Sequence, residues 1–542
     1  MEKFESQHMN SISMRIEYLR NWCKQAFPSR WLISKGAILV LIWSFLSISV
    51  YHYFTISKKR DLIKYLNPGK ILGIGILLPL GGWLADAYFG RYKVIFCGLW
   101  TMWIGAMLNG LSLILGEVIT PYKQHVDQWV SLFSKVIMGA GVGAFQANII
   151  QFGIDQLSDA SSTEITSFIM WYTLTIFACG FTIQFSSFCT PEYVVVLVVA
   201  LYLTLALCSN FLLNHWLVKD QVIDNPLPLI WKTVRYTIKN RHQWQRILTV
   251  GEHGVLSKFN IAKTIYAGPF TSDQVEDVKA FFRVVGVIAI LIIACSGIPT
   301  LNSVLNVLMA HFQSWFPSDT SLSSCYKRLS VTYIQYIFLL GVVLTYKIII
   351  HPLCHKCIPK INITTKVLVS ILLFLISVMI LLGIESVSYI YHHQLGVNQT
   401  TIKCIFQNKH NHVDIEFYWI TIPNVLNVLS NFLFIFSGIE FVSAQAPFNM
   451  KGLILGIAYA LFGLATLVQA AIAIPFLSKN SAWEKAPLTC GIWYFIIQGV
   501  IVLVGFMVVV VMIKRYKRRI RINIPQSKWE VKDMQIDSVN TY

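Results

Sequence analysis

The chain is 542 residues long, 55% hydrophobic and only 13% charged, with a mean hydropathy of +0.59. A soluble protein carries about 25% charged residues to cover its surface, so a water-solvated globule is excluded and lipid must solvate much of this chain. The net charge of +18 does not select nucleic acid as a partner, because membrane proteins concentrate Lys and Arg on the cytoplasmic side, where these residues set topology.

Residues 1–30 are polar and lack an apolar core segment, so no cleavable signal peptide is expected and the first span itself targets the chain. A membrane helix needs about 20 mostly apolar residues. Runs of that kind predict spans at Trp31–Ile56, Ile71–Ala87, Tyr92–Leu115, Val130–Phe152, Ile165–Phe185 and Val194–Leu217. A polar stretch follows, and then come Phe282–Met309, Val331–Ile350, Val367–Ile384, Phe417–Phe441, Leu453–Phe476 and Ile492–Ile513. The reading is an all-α membrane protein of about twelve spans. Its expected organisation is a cytoplasmic tail (1–30), a first bundle (31–217), a linker (218–281), a second bundle (282–513) and a basic tail (514–542).

Within the linker, Asn225 to Gln243 reads as a basic amphipathic helix. Leu229, Ile230, Val234 and Ile238 recur at helical spacing, and such a helix lies along a membrane face. The linker's Lys219, Lys232, Arg235, Lys239, Arg241 and Arg246, and the tail's Lys514, Arg515, Lys517, Arg518, Arg519 and Arg521, place both termini and the linker in the cytoplasm. One loop disagrees: Lys58 to Lys70 is basic but falls outside in this count. The Asn398 sequon falls outside and could carry a glycan, whereas that at Asn362 falls inside and should not. Cys97, Cys179, Cys208 and Cys295 sit in apolar runs and read as small buried residues. His351 to Cys357 (HPLCHKC) has no second half at zinc spacing and reads as a surface loop, so neither metal nor cofactor is expected.

The stretch GGWLADAYFGRYKVI, Gly81 to Ile95, sets Asp86, Arg91 and Lys93 around Gly90 between two apolar runs. Positive-inside topology explains the bases but not the acid or the glycine. Gly90 lets a turn close tightly, and charges at adjoining helix ends can hold those ends together. This stretch resembles the signature loop of the major facilitator superfamily, and more closely that of the proton-coupled oligopeptide transporters, the solute carrier 15 family. Further similar stretches follow in order: QFGIDQ (Gln151 to Gln156), SFIMWYTLTIFACG (Ser167 to Gly180), VEDVKAFFRVV (Val275 to Val285) and SGIEFVSAQAPFNMKGLILG (Ser437 to Gly456).

The resemblance implies a major facilitator fold with two six-helix bundles that rock about a midplane site. It also implies uptake of di- or tripeptides or related small solutes, linked to protons. Glu440 lies inside an apolar run, and a carboxylate in a span is a functional candidate by default, suited to reversible protonation. The resemblance assigns it the substrate amine or a part in proton coupling. The plainer alternative is a helix-end Glu facing cytoplasmic water. Ser443 lies about one turn on, and Gln445 is less well aligned with that face. Trp171 and Tyr172 are candidates to line the pocket, with ordinary packing as their alternative.

The family's first-span E-x-x-E-R is missing. WSFLSISVYHYF (Trp43 to Phe54) keeps only the aromatic part, Tyr51 and Tyr53, with His52 between them. In the fourth span Gln146 stands at the family's lysine position and Asn148 matches. In the seventh span SGIPTLNS (Ser296 to Ser303) replaces the family's D-Q-containing run. A carboxylate entering such a cavity without a cation suffers a desolvation penalty of roughly several kcal/mol, so zwitterionic peptides should bind worse here than in a typical relative. Lys135 is about 16 Å along the helix from Gln146 and reads as snorkelling to the surface.

Two readings follow. One is a transporter of peptides or peptide-like solutes with atypical proton coupling. The other is a transport-poor relative acting as a membrane scaffold or sensor. An enzyme finds no support in the motifs. The absence of a clear acidic dileucine signal favours the plasma membrane over lysosome or endosome.

Overall fold

The computed structural model describes residues 34–55, 77–118, 124–157, 160–186, 192–219, 225–242, 258–298, 301, 312–313, 334–347, 362–394, 413–416, 418–477 and 490–516. The basic segment 58–70, the 351–357 stretch and Asn398 lie outside them.

Helix α1 (Lys35–Ser47) starts where the Ser34 hydroxyl accepts the Ala37 N–H at 3.3 Å, an N-cap contact. It continues after Ile48 as α2 (Ser49–Thr55). Next is α3 (Leu78–Leu84), with proline in its first turn, running into a π-helical turn at Ala85–Phe89. Gly90, at φ 79° and ψ 153°, then reverses the chain; only glycine holds such a conformation without strain. The chain resumes as α4 (Arg91–Val118). The predicted fourth span is two helices, α5 (Gln124–Gln146) and α6 (Ile149–Asp155), and α7 (Ser162–Ser186) and α8 (Glu192–Leu213) complete this half.

The linker helix is present as α9 (Pro226–Lys239), capped by the Asn225 side chain, which accepts the Leu227 N–H. Its buried face differs from the expected stripe. Ile230 is buried and Leu229 and Val234 half-buried, but Ile238 is 65% exposed and the neighbouring Trp231 66% exposed. The protein side of α9 is taken up by Pro226, Ile230 and Thr233 instead.

The second half opens with α10 (Ser272–Ala294), whose Thr271 and Gln274 form a reciprocal capping box. A two-residue strand β1 (Phe312–Gln313) precedes α11 (Ile334–Thr345) and α12 (Ile363–Gln394). Strand β2 (Val413–Glu416), which pairs with β1 in parallel, precedes α13 (Tyr418–Gln445). The last helices are α14 (Lys451–Leu477) and α15 (Cys490–Arg515). Nine of the described helical segments are long and apolar enough to cross a membrane, and α3, α10 and α11 fall at the other expected positions. An integral, multi-pass membrane protein follows.

Helices meet through groups that lipid cannot satisfy. Ser370 of α12 and Ser430 of α13 each donate a hydroxyl to the other's carbonyl, at 2.9 and 2.8 Å. In a bilayer core such polar pairs are satisfied inside the protein or not at all. The halves meet most closely where α3 crosses α14. A Cβ on Gly82 would stand 2.2 Å from the Gly452 carbonyl oxygen, and one on Gly456 would stand 2.5 Å from that of Leu78. Small residues four apart let membrane helices approach backbone to backbone.

Two cysteine expectations are corrected. Cys179 and Cys295 are buried, but Cys97 and Cys208 are exposed on outward helix faces. An apolar run identifies a span without saying which face of it points to lipid.

Candidate functional site

A cavity of about 140 Å³ lies between the two halves. The first half contributes Ile48, Tyr51, Leu78, Val142, Gln146 and Ile176. The second contributes faces of α10, α13 and α14, among them Leu291, Phe434, Ile439, Tyr459 and Phe462. Among the described residues, no charged side chain lines it. Its polar groups are Tyr51, Gln146 and Tyr459, with Tyr172 accepting a hydrogen bond from the Gln146 amide at 3.3 Å. The Phe177 ring reaches across on one side, 6.4 Å from Tyr336 and 5.8 Å from Phe432.

On the other side, toward the linker, charges gather. The Asp86 carboxylate accepts the Leu453 N–H at 2.9 Å, at the N-terminus of α14, where a helix presents free N–H groups to an anion. Arg91 donates to Asp86 at 3.3 Å, to Asp155, and to the Phe448 carbonyl at 3.4 Å. The signature loop therefore bridges α3, α6 and the turn before α14. Lys93 stands apart, exposed on the first turn of α4. The linker helix seats on the same loop: Trp83 Nε1 donates to Asn225 at 3.2 Å, and Asn225 donates to the Tyr88 hydroxyl at 2.9 Å.

Glu440 belongs to this linker-side layer and not to the cavity lining. Lys366 donates to it at 2.6 Å from the first turn of α12, and the Thr166 hydroxyl donates to its other oxygen at 2.9 Å from α7. The Lys366 ammonium also stands 4.4 Å from the centre of the Phe436 ring. Glu440 thus has a cation from its own half and a neutral donor from the other. One turn on, Ser443 accepts from Gln151 of α6 at 3.1 Å, another link between the halves.

The other candidates separate. Asn148, fully buried, donates to the Gly81 and Ala144 carbonyls at 3.1 and 2.8 Å and ties α3 to the break between α5 and α6. Tyr53 donates to Glu192 at 2.9 Å and accepts from Asn109 at 2.8 Å, away from the cavity. Gln445 accepts from Tyr516 at 3.1 Å. Trp171 is half-buried and not part of the cavity lining. His52 has its Nε2 2.9 Å from the Ile176 carbonyl, the arrangement of a satisfied core histidine. Of the candidates, Tyr51, Gln146 and Tyr172 come together at the cavity, and Glu440, Ser443, Asp86, Gly90 and Arg91 at the linker side.

Lys366, Thr166, Tyr459 and Glu385 were not picked out from the sequence. Lys366 opens a span and looks like an ordinary basic flank. Glu385 is the clearer omission: it sits in the apolar run LLGIES, is 2% exposed, and its Oε1 has no hydrogen-bond partner among the described residues. An isolated acid within a predicted span is itself a signal.

No family model matches the chain. It is 21% identical over 539 residues to solute carrier family 15 member 3 of Rattus norvegicus, covering 87% of this chain and 90% of that protein. Among solved structures, an auto-inhibited POT family peptide transporter superposes with a TM-score of 0.60 at 13% identity, over 91% of this chain and 99% of that one. A POT family transporter in complex with 5-aminolevulinic acid superposes with a TM-score of 0.52 at 15% identity, over 88% and 96%. The helix arrangement described above is the major facilitator fold of these transporters.

Proposed function

We propose that this chain, a divergent member of the oligopeptide transporter family that includes solute carrier 15 proteins, carries small peptide-like solutes across a membrane by alternating access. The observation that carries the reading is the cavity. It lies between the two halves, and different contacts cover it on its two sides: aromatic rings at Phe177, and a polar layer at Asp86, Gln151, Thr166 and Glu440. A site between two halves that close alternately is the geometry of carriers with repeated bundles.

The polar layer supports a route for proton linkage. Protonating Glu440 would remove the charge that holds Lys366 and weaken the hydrogen bond from Thr166, loosening one of the links between the halves. Other links, Gln151 to Ser443, Arg91 to the Phe448 carbonyl and Asp86 to the α14 N-terminus, would then separate as α14 moves from α3. Solute binding would fall to Tyr51, Gln146, Tyr172 and Tyr459. Asn148, Tyr53, Trp171 and Gln445 would support the helices that hold these groups. By the positive-inside rule the linker side faces the cytoplasm, and the cell surface is the favoured site.

A scaffold or sensor role would rest on the exposed row of α9, Leu227, Trp231 and Ile238. A lipid headgroup layer suits the same row, so it does not require a protein partner.

The test is uptake of labelled dipeptides, one linear and one cyclic, into proteoliposomes under an imposed inward proton gradient, with wild type beside Glu440→Gln. Gradient-driven uptake lost in the variant is expected. Uptake no faster than in empty liposomes, from protein shown to be folded, sinks peptide symport.

A further inference from the structure

Among the described residues, the cavity lining holds hydrogen-bonding groups and no charge, and its polar groups cluster. Gln146 donates to the Tyr172 hydroxyl. The buried Tyr459 hydroxyl lies within hydrogen-bonding reach of both, and no further group among the described residues partners it. Tyr51 stands next to Tyr459 on the lining. Away from this patch the walls are aliphatic and aromatic. The acid that could meet an amine, Glu440, is outside the lining and already paired with Lys366 at 2.6 Å.

A zwitterionic solute would bring two charges into this space and meet a counter-ion for neither. Burying an unpaired charge is strongly unfavourable. An uncharged solute escapes that cost. One face with both an N–H and a C=O would satisfy the Tyr459 hydroxyl and the Gln146 amide, because a hydroxyl and a carboxamide each donate and accept. The apolar walls would take the rest, as in most small-molecule sites.

We infer that the solute class is uncharged and largely apolar with one compact amide face, the chemistry of a cyclic dipeptide. The inference rests on the carrier reading for its biological sense, but binding tests it without transport.

The matched probes are cyclo(Gly-Phe) and linear Gly-Phe, titrated against the purified full chain in nanodiscs and followed by intrinsic fluorescence and thermal shift. The cyclic probe is expected to bind, and the linear one roughly 100-fold more weakly. Gln146→Leu and Tyr459→Phe should each weaken the cyclic probe by about tenfold, the loss of one hydrogen bond. Gln146→Lys places a cation on the lining and should narrow or reverse the preference. Equal or tighter binding of linear Gly-Phe by wild type overturns the inference. So does binding of neither probe by protein that melts cooperatively. Selective binding of the cyclic probe without uptake of any solute would leave this inference standing and sink the carrier reading alone.

Discussion

At the residue scale, the Glu440–Lys366 pair is a nearly buried ion pair beside the Thr166 contact that joins the two halves. Both side chains are nearly buried, at 11% and 13% side-chain exposure. A buried pair adds little net stability over an apolar pair, but removing one partner strands the other, at a cost of about 3–5 kcal/mol. Lys366→Met should therefore lower the melting temperature in detergent clearly. The double variant Lys366→Met with Glu440→Gln should recover most of the loss, because no bare charge remains. Equal losses in the single and double variants would show that Lys366 acts through packing on Phe436 and not through its charge. Sequence reading reached Glu440 because an acid in an apolar run is conspicuous. It missed Lys366 because a lysine opening a span looks the same whether it faces headgroups or a carboxylate. It also placed Asn148 among solute-binding groups, although that side chain is spent on two backbone carbonyls.

At the element scale, two contacts govern how the halves and the linker are joined. The α3–α14 crossing has no room for side-chain carbon at Gly82, since the Gly452 backbone blocks it. Gly82→Ala should push the helices apart and release the Leu453 N–H from Asp86. Hydrogen exchange in the 448–455 peptide is expected to speed up, while the Ser370–Ser430 contact between α12 and α13 stays protected. The second contact is Glu276, held at 2.7 Å by both Lys263 of the linker and Lys279 of α10. Burial alone would raise this carboxyl, but the hydrogen bonds and charges of the two lysines outweigh it and hold the group down to about 2. A lowered carboxyl contributes stability above its ordinary value of 4.5 and loses it only as pH falls toward about 2. The clasp should thus be as firm at pH 5 as at pH 7. Glu276→Gln should raise proteolysis of the 258–271 segment equally at both values, and a wild-type clasp that loosens by pH 5 would contradict this assignment.

At the scale of the whole molecule, the hydropathy pattern carried most of the architecture, because bilayer thickness imposes one length on every span. It did not carry which faces meet. That depended on close approach at Gly82 and Gly452, on serine pairs and on cavity-lining positions, none of which has a period of its own. Orientation is the remaining property of the whole chain. With the twelve spans expected from the sequence and a strongly basic linker and tail, the side bearing α9 should be cytoplasmic. The basic segment 58–70 argues the opposite for a single loop, yet reversing the molecule would export the linker and the tail together, with many more Lys and Arg residues. The Asn398 and Asn362 sequons divide these cases, since a glycan is added only on the luminal side of the secretory membrane. Expressed in a glycosylating cell, the protein should lose mass on deglycosylation. Asn398→Gln should abolish that loss and Asn362→Gln should leave it intact. The reverse pattern would place the linker, the Asp86–Arg91 loop and the Glu440 layer outside. The proton route would then run outward, because the groups proposed to titrate would face the opposite compartment.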